Sequence, residues 1–186
     1  MTVLWYLSRA TGVISIVLLT AVMMLGVFLS GARRSVGNRT TTTQAVHRSL
    51  ALGTATFLVV HIATAIVDTY VHIGVLAALL PFASTYHRLP LGLGTLGFDV
   101  LAAIVVTSLL RHRISERLWR VVHRASFVMW PVALWHGIAM GTGNEPILRF
   151  TTIGCGVVGV LALVWRLTGS HHDSSRRREV LRQEWT

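Results

Sequence analysis

Apolar stretches free of charge and long enough to cross a bilayer recur five times along the chain, near residues 10–31, 49–67, 91–110, 125–143 and 150–166. About 20 helical residues, each rising about 1.5 Å, cover roughly 30 Å of hydrocarbon. Lipid offers no partner for backbone N–H and C=O groups, so each stretch must bond internally and becomes an α-helix. The connections collect the arginines, Gly, Asn, Pro and a run from Thr40 to Thr43, the marks of loops. The pattern predicts an all-α integral membrane bundle of five transmembrane helices over residues 1–168 and a polar, basic tail over 169–186. Within the connection 68–90, the apolar segment VHIGVLAALLPFA is too short to span and predicts an interfacial or re-entrant helix. The first apolar run is read as a retained helix and not a secretory signal, since Arg9 is the only charge before Arg33 and no cleavage site of small residues follows.

Composition agrees: 53% of residues are hydrophobic, 13% are charged and mean hydropathy is +0.62. Charge then adds direction. All 17 basic residues are arginine, and fourteen of them fall in residues 32–48, 111–124 and 166–186, which are alternate connections. The positive-inside rule places these in the cytoplasm, with the N-terminus outside and the C-terminus inside, in a multi-pass protein of a cell membrane such as the bacterial inner membrane. The net charge of +10 is thereby assigned to topology and to membrane lipid headgroups, with no nucleic-acid partner implied. The single cysteine, Cys155, excludes disulfides within the chain, iron–sulfur clusters and thioether-linked haem.

Candidate chemistry lies in the histidines. Two stretches begin alike, AVHRSLALGTATFLVVHI from residue 45 and VVHRASFVMWPVALWHGI from residue 121. Of nine histidines, His72, His87, His112, His171 and His172 fall in connections, while His47 and His61 belong to the second helix and His123 and His136 to the fourth. Spacings of fourteen and thirteen residues correspond to roughly 21 and 20 Å of helix. Both helices enter from the cytoplasmic side, so His47 pairs in depth with His123, and His61 with His136. Two imidazoles on two helices at one level suit a porphyrin iron ligated from both faces, and two levels make two haems. Fourteen residues turn roughly 1400°, close to four full turns, but thirteen turn only roughly 1300°. Pro131, which removes the hydrogen bond to the Phe127 carbonyl, is expected to distort the fourth helix and aim His136. Asp99, the only carboxylate inside an apolar run, needs a proton, a hydrogen bond or an ion pair, with Thr95 or Arg9 as candidate partners.

Paired histidines spaced by 14 and by 13 on alternate membrane helices resemble the ferric reductase-like transmembrane domain, a family that includes the membrane portions of NADPH oxidases and ferric reductases and the haem-binding subunit of the periplasmic methionine sulfoxide reductase system. The resemblance covers roughly residues 1–168. It implies b-type haem held by His47 with His123 on the inner side and by His61 with His136 on the outer side, two haems or only one as in some relatives. It also implies transmembrane electron transfer from a separate cytoplasmic flavoprotein or membrane quinol to an extracytoplasmic acceptor. Five helices replace the six usual in the family, and the flavin and NADPH-binding domain of the oxidases has no counterpart in this sequence, so the chain reads as an oxidoreductase subunit with flavin or quinone supplied elsewhere. Arginine suits haem propionates, which makes Arg9, Arg48 and Arg124 cofactor-binding candidates beside the alternative of snorkelling to headgroups. Gly53 is a candidate for close approach of a porphyrin face. Two rival functions stand: a histidine-lined metal or proton transporter without haem, and a non-catalytic membrane scaffold.

Overall fold

A computed structural model of the chain describes residues 3–31, 38–69, 73–141 and 145–183, with the side chains of 30, 31, 38–40 and 169–183 left out of the description. Among these residues there are seven helices and no strand: α1 Val3–Gly31, α2 Asn38–Val67, α3 Val75–Leu79, α4 Arg88–Leu109, α5 Glu116–Arg124, α6 Ser126–Met140 and α7 Pro146–Gln183. The protein is a helical, multi-pass membrane protein. Four helices are long and apolar enough to cross a bilayer, over Val3–Leu29, Thr41–Val67, Arg88–Leu109 and Pro146–Thr168.

The predicted fourth helix differs most from expectation. It is divided into α5 and α6, with Ala125 between them. The Ala125 N–H bonds to the Val122 carbonyl at 3.0 Å, an i→i−3 closure tighter than the α-helical one. Sequence favours a new start here. Ser115 caps α5 by accepting the Leu118 N–H at 3.3 Å, Glu116 lies in its first turn, and His123 and Arg124 close its last turn. The nine residues of α5 alternate charge with Leu118, Val121 and Val122, as in an interfacial helix, whereas α6 is apolar throughout. Helix α6 is continuous through Pro131, so the predicted interruption exists but sits six residues earlier. With 15 residues, α6 alone covers about 22 Å.

The short helix expected in the connection 68–90 appears as α3, five residues long, held when Thr95 Oγ1 donates to the Ala77 carbonyl at 2.8 Å. The last helix exceeds its predicted run at both ends, and its backbone stays helical to Gln183.

Helix α1 is the centre of the bundle, packing along α2 and also against α6 and α7. Ile16, Met23 and Val27 of α1 meet Trp130 and Leu134 of α6 in the main core, and the Trp130 Nε1–H donates to Thr20 Oγ1 at 3.0 Å. Leu101 and Ile104 of α4 pack with Met129 in a second cluster. Among the described residues the backbone of α2 does not approach that of α5 or α6 closely. The two histidine-bearing helical segments therefore face each other across a gap bridged by side chains.

Candidate functional site

The histidines meet across that gap. His47 and His123 have ring centres 6.2 Å apart, and His61 and His136 are 6.5 Å apart. Each pair joins α2 to the α5–α6 rod, at opposite ends of the spans. The matching of levels follows from the nearly whole number of turns between His47 and His61. On the other side, closure at Ala125 lies between His123 and His136, and an i→i−3 turn advances about 120° per residue instead of about 100°. That overwinding rotates His136 in the direction that the thirteen-residue spacing lacks.

At the outer level, ring orientation is fixed by backbone. His61 Nδ1 lies 2.7 Å from the Ser8 carbonyl and His136 Nδ1 lies 2.8 Å from the Pro90 carbonyl. A carbonyl only accepts, so each Nδ1 carries the proton and each Nε2 keeps a lone pair for a ligand. One helical turn further along the same helices stand Gly12 and Gly94. A Cβ on Gly12 would lie 2.9 Å from His61 Nδ1, and one on Gly94 would lie 2.5 Å from His136 Nδ1 and Cε1. These two glycines admit the rings to their carbonyls, a close approach that any side chain would block.

At the level of His47 and His123, a Cβ on Gly26 would lie 3.6 Å from the His47 ring, an ordinary contact. Gly12 and Gly26 stand fourteen residues apart on α1, matching the fourteen between the histidines on α2. This glycine pair escaped the sequence reading because glycines in membrane helices ordinarily signal packing. Its fourteen-residue spacing opposite the histidines was the available signal. His47 Nδ1 and His123 Nδ1 are both buried without a hydrogen-bond partner.

Of the other expected residues, Arg9 lies at the outer level. It lines a cavity with Gly12, His61, Gly94, Phe98 and His136, donates to the Met140 carbonyl and stands over the Trp5 ring at 5.0 Å. Helix α1 starts at Val3, so Arg9 sits inside the helix and not at its end. Arg48 and Arg124 are exposed. Gly53 is not near an imidazole; a Cβ there would meet only Leu18, at 3.8 Å. Asp99 is half-buried, and its two candidate partners are engaged elsewhere: Thr95 donates to Ala77 and Leu91, and Arg9 to Met140. His87 and His112 are exposed; His72 and the side chains of His171 and His172 lie outside the described residues.

The donor set decides what kind of group fits. Metal–imidazole bonds of about 2.0–2.1 Å, with each nitrogen about 1.1 Å from its ring centre, put two rings ligating one ion from opposite sides about 6.3 Å apart between centres. Both observed separations lie within 0.2 Å of that figure. Among the described residues no group of three or more His, Cys, Asp or Glu could hold an ion. Two imidazoles at that separation would suit a metal that brings its remaining donors in a flat macrocycle better than a bare ion.

A family model described as ferric reductase like transmembrane component matches residues 11–134, a range that includes His47, His61 and His123. Comparison with curated proteins and with solved structures yields no match.

Proposed function

The chain belongs to the ferric reductase-like transmembrane family, and on that premise we propose that it carries electrons across the membrane through two b-type haems, an inner one on His47 and His123 and an outer one on His61 and His136. Bound haem iron supplies reversible one-electron chemistry without proton or bond rearrangement. The residues supply the rest: four imidazoles in two facing pairs, with backbone carbonyls that hold His61 and His136 and leave their Nε2 free. Arg9, half-buried beside the outer pair, is positioned to pair with an anionic propionate; Arg48 and Arg124, being exposed, suit headgroup contact better. The observation that carries this reading is the ring-centre separation near 6.3 Å at both levels.

Orientation follows the arginine distribution, with the N-terminus outside and the C-terminus cytoplasmic, and α5–α6 counts as a span beside the other four, the fourth in chain order, entered from the cytoplasm through the interfacial α5. Electrons then enter at the inner haem from a separate flavoprotein or quinol and leave at the outer one to an extracytoplasmic acceptor. A bacterial plasma membrane fits this arrangement. The transporter alternative lacks support from the donor set, which offers two protein ligands at each level, both pairs capable of holding an ion only with further donors.

The test is a reduced-minus-oxidised spectrum of detergent-purified protein with haem counted per chain. Low-spin b-type bands and about two haems per chain are expected. His61→Ala is expected to remove the outer haem and leave the inner signal; equal loss of both would contradict two separate levels.

A further inference from the structure

Two of the four ligands have a carbonyl on Nδ1 with a glycine one turn on: His61 has Ser8 and Gly12, His136 has Pro90 and Gly94. His47 has Gly26 in ordinary contact with its ring, at 3.6 Å, and an unpartnered Nδ1. His123 lacks even that glycine. Fourteen residues beyond Pro90 and Gly94 on α4, about the spacing of the two ligands, stand Ile104 and Ser108. Ile104 is buried in an apolar cluster with Leu101 and Met129. Ser108 faces α5, but its Oγ accepts from the Trp119 indole Nε1–H at 3.4 Å and makes no bond to His123. His123 Nδ1 is buried and unpartnered.

What fixes this ring instead is Trp119. Its ring lies against that of His123 with centres 4.8 Å apart and planes 23° from parallel. Four residues separate them on α5, so they share a face of that helix. The Arg111 guanidinium also lies over the indole, 4.2 Å from its centre. Trp119 thus contacts both Arg111 and His123 and is tied at its indole N–H to Ser108. A stacked indole restricts rotation of an imidazole about its Cβ–Cγ bond as a carbonyl does, but through its plane and not through Nδ1.

We propose that Trp119 is the positioning residue for the inner haem ligand His123, standing in for the carbonyl–glycine cradle that His123 lacks, with Arg111 and Ser108 holding the indole. This rests on the haem reading above. The angle between His47 and His123 planes is 52°, against 81° at the outer pair. The relative orientation of two axial imidazole planes governs the g-anisotropy of a low-spin ferric haem, so the two levels give separate paramagnetic resonance signals and Trp119 acts on one of them alone.

The experiment compares wild type with Trp119→Phe and Trp119→Leu in the full chain, by haem per chain and by paramagnetic resonance of the oxidised protein. Trp119→Phe keeps a stacking plane and is expected to retain both wild-type signals. Trp119→Leu keeps apolar bulk without a plane; the inner signal shifts and inner haem is held about tenfold more weakly, while the outer signal is unchanged and serves as the control for folding. The proposal is overturned if Trp119→Leu leaves the inner signal as in wild type, if it removes both haems together, or if Trp119→Phe behaves as Trp119→Leu does. Wild-type protein without any low-spin haem would instead remove the reading on which it stands, before a variant is compared.

Discussion

Gly94 and Gly53 separate two meanings of glycine in a membrane helix. A Cβ at position 94 would lie 2.5 Å from His136, and the ring cannot retreat without giving up the Pro90 carbonyl. Gly94→Ala is therefore expected to weaken outer haem retention by about 10–100-fold, the usual effect of disturbing a ligand's supporting contact. Gly53→Ala meets only Leu18 at 3.8 Å and is expected to leave both haems in place. Haem retention on dilution in detergent, followed optically for both variants, distinguishes them; equal effects would count against the cradle. The four histidines were legible because imidazole is costly in hydrocarbon and their spacing is doubled. Ser8 and Pro90 were not, since they act through backbone carbonyls and any residue type supplies one.

Among the elements, α5 carries the largest consequence of a small local signal. Ser115, Glu116 and the terminal His123 and Arg124 are N- and C-terminal marks that define a helix of its own, independent of the apolar run that follows. Hydropathy alone merges this segment with α6, and the angular shortfall then points to Pro131. The closure at Ala125 is invisible to such a reading because alanine carries no turn signal. Removing the cap by Ser115→Ala is expected to destabilise α5 by about 1 kcal/mol. Since α5 bears only the inner ligand, thermal release should occur earlier for the inner haem, with the outer transition unmoved. A shift of both transitions together would show that α5 and α6 melt as one unit. Span α4 was readable to within a few residues; α1 starts seven residues before its expected run, through the mostly apolar Val3–Arg9, and α2 and α7 continue into polar sequence that helical bonding tolerates at an interface.

For the whole molecule, two ligand helices that never pack on one another are held at fixed separation by α1 and α4, which carry the carbonyls. Helix α1 holds His61 of α2 and α4 holds His136, so the separation of that pair is set by the bundle and not by contact across it. Topology is the part of the account that depends on charge alone. A reporter fused after residue 186 is expected to act only in the cytoplasm, and one placed in the connection before α4 only outside; the reverse pattern would invert the direction assigned to electron flow. The central claim is more specific than topology, since a transporter or a scaffold would share the same spans. It is tested most directly by haem stoichiometry in the purified wild-type chain, expressed with ample haem and read by its reduced-minus-oxidised spectrum. The account predicts low-spin b-type bands at about two haems per chain; folded protein with no bound haem would contradict it.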